Sequence, residues 1–390
     1  MTERWTSRRR VEVALAHQEP DRVPTDLNIS LNAYLRLREH LGLPPEEDVK
    51  ADRFFEVRPG LDLLEALGVD MTFVRLRGSA NWTSPPPLPD GSVLDEWGVG
   101  RKLIQLPTGS YLNEVSYNPL ADRPPSDINL DAYPWPDPHA PGRLDGLEEE
   151  ARRLYEDTDL AIVGRFGGPI LEIGAYLRGF EQWMMDLVLY PDFSRDMLNI
   201  IADIQIALDE AAIKVAGKYL SVLKASGEDL GMQDRPLFSM KVWREVLFPV
   251  LERRFRAARA ALDQYAPHVK IMLHSDGAIR PFIPDLISAG VEVLDPIQAV
   301  CAGMEMAGLK RDFGDHLTFH GGIDTQRVLP FGTPEEVERA VIECISALGQ
   351  GGGLIVAPSH FIQPDVPPEN SVALYRAVCK HGNYPLGRSH

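Results

Sequence analysis

Two short apolar runs in this chain are each followed by residues that could bind a metal ion or transfer a proton. Residues 269–272 lead into Leu-His-Ser-Asp-Gly, which contains His274 and Asp276, and residues 353–357 lead through Pro-Ser into His360. In parallel α/β proteins the carboxyl ends of buried strands lie at one edge of the sheet, where active sites are built. Two imidazoles and a carboxylate that converge there form either a metal site or an acid/base cluster.

Further polar residues stand at the ends of other predicted strands. We expect His360 to act in catalysis together with Glu228 and Asp229, of which only one should face the pocket because the two are adjacent. Substrate contacts are expected from five more residues at strand ends: Asn28, Arg165, Gln298, His320 and Gln363. Asp295, directly before Pro296, is interpreted as a turn residue.

The elements that must position these residues alternate between short apolar runs and longer helical patterns. The predicted strands cover residues 23–27, 69–74, 160–163, 220–223, 269–273, 291–294, 317–319 and 354–356. Eight such units in a row predict a single (β/α)8 TIM barrel over residues 1–390. A doubly wound sheet is the alternative, but no G-x-G-x-x-G motif follows the first strand.

One region interrupts the alternation. Residues 81–136 are rich in proline and glycine, and residues 93–98 and 111–115 resemble hairpin strands around a Thr108-Gly109 turn. We expect this region to be an insertion after the second barrel strand, serving as a cap or a lid.

Composition limits the kinds of partner. A formal net charge of -17 disfavours nucleic acid and anionic membrane surfaces. No apolar run approaches the ~20 residues needed to span a bilayer. The three cysteines, Cys301, Cys344 and Cys379, form no CxxC pair, which suits a reducing cytoplasm. We therefore expect a cytoplasmic protein with a small oxygenated organic ligand, and leave open whether it forms a homodimer.

Several segments together carry a resemblance to a known family. They are Ser359-His360-Phe361-Ile362 with residues 367–370, Gly168-Pro169 with residues 178–180 and 186, residues 310–315, and residues 321–324. On these motifs the chain resembles the uroporphyrinogen decarboxylase superfamily over nearly its whole length. That resemblance implies a barrel enzyme, and it covers two branches with different chemistry.

The two branches differ in their site residues. True uroporphyrinogen decarboxylases are free of cofactors and open with an arginine motif that clamps substrate carboxylates; here the matching residues 21–28 lack it, so porphyrinogen decarboxylation is not expected. The other branch holds zinc-dependent methyltransferases with a His-x-Cys pair and a late Cys. In this chain His274-Ser275-Asp276 falls on the pair and His360 on the late Cys, so that a carboxylate and an imidazole replace thiolates.

The resemblance and the residues together predict metal-assisted methyl transfer. A divalent ion, with zinc expected, would bind His274, Asp276 and His360, with Glu228 as a fourth ligand. It would act on a small methoxy-type donor, and the methyl group would pass to a corrinoid carried by a partner protein. The alternatives are metal-free decarboxylation of a small acid with His360 as proton donor, and a barrel that binds a ligand without turnover.

Overall fold

The computed structural model describes residues 5–46, 49–52, 55–106 and 111–386. The strands are β1 Ile29–Ser30, β2 Glu56–Val57, β3 Met71–Arg75, β4 Val93–Leu94, β5 Gly100–Gln105, β6 Tyr111–Tyr117, β7 Ala161–Arg165, β8 Val222–Gly227, β9 Lys270–His274, β10 Val293–Ile297, β11 Thr318–Ile323 and β12 Leu354–Pro358. Among the described residues, no helix has both the length and the apolar character needed to cross a membrane.

Helices follow most strands of the central sheet, as the alternating pattern predicts. They are α1 Ser7–Leu15, α2 Leu31–His40, α3 Leu61–Leu67, α4 Leu147–Asp157, α5 Leu171–Arg178, α6 Phe180–Leu189, α7 Pro191–Ala216, α8 Met240–Val242, α9 Phe248–Tyr265, α10 Ile283–Ser288, α11 Met306–Phe313, α12 Val328–Phe331, α13 Pro334–Leu348 and α14 Pro368–His381. The sequence itself fixes the start of α13, because Thr333 and Glu336 form a reciprocal capping box that satisfies backbone N–H groups there.

The central sheet is parallel and has seven strands in the order β12-β11-β10-β9-β8-β7-β3. The predicted α/β class is therefore confirmed, and this sheet supplies seven of the eight predicted barrel strands. Residues 23–27, predicted as the first strand, form one isolated bridge, between Thr25 and Val356, instead of a regular ladder. They nevertheless bond to both edges: the Val356 N–H donates to Pro24 O at 2.9 Å and the Asp70 N–H donates to Thr25 O at 3.0 Å.

One face of the sheet encloses a small apolar layer that supports the site. Alternate strand residues and two residues of α1 form this buried cluster: Val11, Leu15, Met71, Phe73, Ala161, Val163, Val222, Met272, Val293 and Ile355. The strand residues of opposite parity pack outward against the helices in the larger core. Because side chains alternate along a strand, this layer shows which positions face the interior.

The interrupting region contains a separate antiparallel sheet of the strands β4, β5 and β6. Its β5 and β6 pair from Gly100 to Gln105 against Tyr111 to Tyr117. The predicted Thr108-Gly109 turn lies outside the described residues.

Candidate functional site

Polar side chains line the barrel interior directly above the apolar layer. Each lies two residues beyond an inward-facing apolar residue of its own strand, in the pairs Val163–Arg165, Val222–Lys224, Met272–His274 and Val293–Asp295. Strand periodicity thus points these polar side chains to the same face as the core below them. Charges this close to a packed core must be paired to remain ionised.

Asp295 connects the histidines of this layer. Its Oδ2 lies 2.8 Å from His274 Nδ1 and accepts a 3.1 Å hydrogen bond from Lys224 Nζ, and its Oδ1 lies 2.7 Å from His320 Nδ1. Burial alone would raise the pKa of Asp295, but Lys224 and the two imidazoles outweigh it and hold that pKa well below its usual value. The interpretation of Asp295 as a turn residue is wrong, because it lies within β10 and faces the interior.

His320 is clamped between two carboxylates. Its Nε2 lies 3.1 Å from Asp26 Oδ2, opposite the contact to Asp295, and its side chain is 1% exposed. Burial lowers the pKa of His320, yet the two carboxylates outweigh this and raise it to about 9. With both nitrogens engaged, this imidazolium supports the site from below, and its substrate contact stays a prediction.

Within the part of the chain that the structure describes, Asp229, His274 and Asp276 form a group that could hold a metal ion. One potential ligand atom of each residue lies within 4.8 Å of the others. Asp295 occupies Nδ1 of His274, so Nε2 is the nitrogen that could bind a metal ion. A carboxylate on the other ring nitrogen is the usual arrangement of metal-binding histidines. Burial and Lys224 lower the pKa of His274, but Asp295 outweighs them and the net shift is upward.

Gln298 holds Asp276 in place. Its Nε2 donates to Asp276 Oδ1 at 2.9 Å, and its Oε1 accepts the Gly277 N–H at 2.7 Å. Gln298 is buried and its amide also donates to Ser359 O at 3.3 Å, so it positions the cluster, and its substrate contact stays a prediction. Burial raises the pKa of Asp276 to about 6.

His360 lies beside the cluster, next to both other predicted ligands. Its Nε2 is 3.8 Å from Asp276 Oδ2, and its ring centroid is 6.3 Å from that of His274. Burial, followed by the charge of His274, lowers the pKa of His360 to about 4, so that its imidazole is neutral at neutral pH. The group of three close ligand atoms, however, contains Asp229 in place of His360, and His360 lies beside it.

Glu228 does not take part in this cluster. A register shift between Lys224 and Ser226 of β8 turns the following side chain outward. The fully buried carboxylate accepts the N–H groups of Ile170 at 2.6 Å and Leu171 at 2.8 Å, at the start of α5. Burial raises the pKa of Glu228 to about 7. Glu228 therefore caps a helix, and its roles as catalyst and fourth ligand stay predictions; the adjacent Asp229 is exposed and lies near His274 and Asp276.

Arg165 and Asn28 contact each other and a third residue that the sequence did not reveal. Arg165 Nη1 donates to both oxygens of Glu56, at 2.8 and 2.9 Å, and Nη2 donates to Asn28 Oδ1 at 2.6 Å. Glu56 comes from β2, which pairs with β1 just after Asn28. A two-residue strand far from the barrel motifs gives no sequence signal for this contact.

Gln363 lies near the same segment. Its neighbour Ile362 donates its N–H to Asn28 O at 2.8 Å, and Gln363 itself is partly exposed in the loop before α14. This placement leaves its substrate contact a prediction.

Comparisons with known proteins agree with this architecture. The family model described as uroporphyrinogen decarboxylase (URO-D) matches residues 112–381. A uroporphyrinogen decarboxylase of Psychromonas ingrahamii is 32% identical over 257 residues, which cover 64% of this chain and 67% of the relative. One from Serratia proteamaculans is 32% identical over 189 residues, covering 48% of this chain and 49% of the relative.

A solved structure extends the likeness to the whole chain. A methyltransferase from Methanosarcina mazei superposes with a TM-score of 0.66 at 17% sequence identity, covering 97% of this chain and 99% of the other. At this identity the likeness concerns the fold. By the match of its family model over most of its length, the chain belongs to the uroporphyrinogen decarboxylase family.

Proposed function

We propose that this chain is a metal-assisted methyltransferase, which takes a methyl group from a small methoxy-type donor and passes it to a corrinoid carried by a partner protein. The observation that carries the proposal is the group of ligand atoms from Asp229, His274 and Asp276 within 4.8 Å. An imidazole and two carboxylates are ligands that zinc and other borderline or hard divalent ions accept.

The surroundings of the three ligands fit a bound cation. Gln298 and Asp295 fix the orientation of Asp276 and His274 before any ligand arrives. The His274 and Asp276 side chains are 22% and 24% exposed, so a small molecule can reach them. A divalent ion held there would supply Lewis acidity to the oxygen of the methyl donor.

His360 can orient the methyl donor, and its protonation state disfavours the alternative reaction, decarboxylation. His360, next to Asp276, can accept a hydrogen bond from a hydroxyl because its imidazole is neutral. For the same reason it has no proton to give near neutral pH, which disfavours metal-free decarboxylation with His360 as the acid.

Metal analysis is the decisive first experiment. Protein purified without chelator should contain about one divalent ion per chain, and His274→Ala should lose it. His381→Ala is the matched control, because His381 bonds to Glu338 far from the cluster in sequence and should leave metal content unchanged. Absence of stoichiometric metal, or equal metal content in His274→Ala, would contradict the proposal.

Turnover is tested separately with a surrogate acceptor. The metal-loaded protein, mixed with methanol or a methoxyarene and cob(I)alamin, should produce methylcobalamin that is visible in the absorption spectrum. Metal binding without methylcobalamin from any uncharged donor would instead support a ligand-binding barrel without turnover.

A further inference from the structure

The cationic side chains that face the barrel interior already form ion pairs with carboxylates of the same chain. In the described part of the chain these pairs are Arg75–Asp52, Arg165–Glu56, Lys224–Asp295 and His320–Asp26. The carboxylates left over at the mouth are Asp229 and Asp276. The ring of charges thus offers an incoming anion no positive group without a partner, and its residual charge is negative.

Arg165 is the cation best suited to hold a substrate carboxylate, because guanidinium binds carboxylate in a planar, bidentate manner. Here both terminal nitrogens are engaged, since both oxygens of Glu56 lie within 2.9 Å of Nη1 and Asn28 accepts from Nη2, while Nε is buried from solvent and makes no hydrogen bond. The Arg165 and Glu56 side chains are only 17% and 14% exposed. The guanidinium also lies 3.9 Å from the Phe73 ring centroid, so its orientation is fixed.

We propose that Glu56 determines substrate specificity at this mouth: by occupying the guanidinium of Arg165 it rejects carboxylates and selects an uncharged oxygenated molecule. This inference deepens the proposed function, and it rests on that function only in taking the barrel mouth as the substrate site.

The physical reason is the free-energy cost of replacing Glu56 by a substrate carboxylate at Arg165. A substrate carboxylate could reach Arg165 only by displacing Glu56, which would leave a poorly solvated carboxylate without its partner. At Lys224 a substrate carboxylate would compete with Asp295, the buried anion to which this ammonium donates at 3.1 Å. An uncharged hydroxyl or ether requires no such exchange, since it needs one hydrogen bond and no counterion.

Equilibrium binding of matched probes tests this directly. Calorimetric titration of metal-free protein with benzoate and benzamide, and with acetate and acetamide, compares an anion with a neutral molecule of nearly the same shape. Wild type should favour the amides. Glu56→Gln should raise carboxylate affinity at least tenfold relative to the amide, and the double variant Glu56→Gln with Arg165→Gln should lose that gain.

Glu96→Gln is the matched control. Glu96 forms a similarly shielded ion pair with Arg143, within and beside the inserted region, so breaking that pair should leave the carboxylate-to-amide ratio unchanged. The proposal is overturned if Glu56→Gln gains no carboxylate affinity, or if the gain survives removal of Arg165. It is overturned equally if wild type prefers the carboxylates, a measurement that needs no variant to fold.

Failure here and failure of the proposed reaction can be told apart. The probes are titrated without metal and without a methyl acceptor, so a wrong specificity assignment leaves the metal content and methylcobalamin formation unaffected. Conversely, a protein that transfers no methyl group can still show the predicted change in probe preference.

Discussion

Asp295→Asn is the change that tests the buried charge network most directly. The variant keeps the shape of the side chain but removes the charge shared by Lys224, His274 and His320. The pKa of His320 is raised from 6.5 to about 9, and at 1.36 kcal/mol per unit this corresponds to about 3 kcal/mol of stability. Asp26 shares that interaction, so we expect the variant to lose about half of it, together with the ion pair to Lys224. The total loss should be about 3–5 kcal/mol near neutral pH.

The pH dependence of stability gives the sharper test. Because the pKa of His320 is higher in the folded than in the unfolded protein, its contribution is fully present below about pH 6.5 and is lost as the pH rises through about 9. Urea unfolding of metal-free protein at pH 6, 7.5 and 9 should therefore show falling stability in wild type. In Asp295→Asn the decline should be smaller and should be complete at a lower pH, because the folded pKa of His320 is then closer to the unfolded one.

A matched aspartate provides the control. Asp285→Asn removes a carboxylate that accepts the Trp243 indole N–H at 2.8 Å in a different part of the fold, and it should keep the wild-type pH dependence. The reasoning is refuted if Asp295→Asn retains that dependence, or if NMR titration of wild type shows the His320 ring losing its proton near pH 6.5.

Three further predictions concern the metal ligands. Asp276→Asn should weaken metal binding at least tenfold without lowering the melting temperature, because Asn retains the shape and the Gln298 contact; unchanged metal affinity would eliminate Asp276 as a ligand. Glu228→Gln should leave metal affinity unchanged but cost about 1–3 kcal/mol in urea unfolding, since its amide NH2 meets backbone N–H donors; lost metal with intact stability would restore Glu228 as a ligand. Calorimetry should show a larger loss of metal affinity in Asp229→Asn than in His360→Gln, and the reverse order would return His360 to the central group.

The fold could be predicted from sequence because its strands are buried on both faces. Seven predicted strands coincide with strands of the parallel sheet, and each extends further along the chain than predicted. The apolar pattern marks only the part of a strand that lies in the core. The ladder continues into Lys224, Asp295 and His320, which are polar because they line the interior above it.

The site was less predictable, because it depends on strand pairing and long-range contacts that a local sequence pattern does not show. Whether Glu228 or Asp229 faces the mouth depends on a register shift against β9, which becomes visible only when the strands are paired. Asp295 before a proline matches the sequence of a turn, and its position two residues beyond inward-facing Val293 was the signal that could have corrected this. Glu56 reaches Arg165 from a strand 109 positions away.

The bridging of both sheet edges by residues 23–27 has a consequence for how the protein is made. This segment is synthesised long before β12, which is its neighbour on one side. The contact between Thr25 and Val356 therefore cannot form until every element from β3 to β12 has been made. Until then β11 and the side of residues 23–27 that faces β12 present unpaired backbone groups, where other chains can add. Synthesis of β12 and protection of this edge from aggregation are thus coupled in this protein.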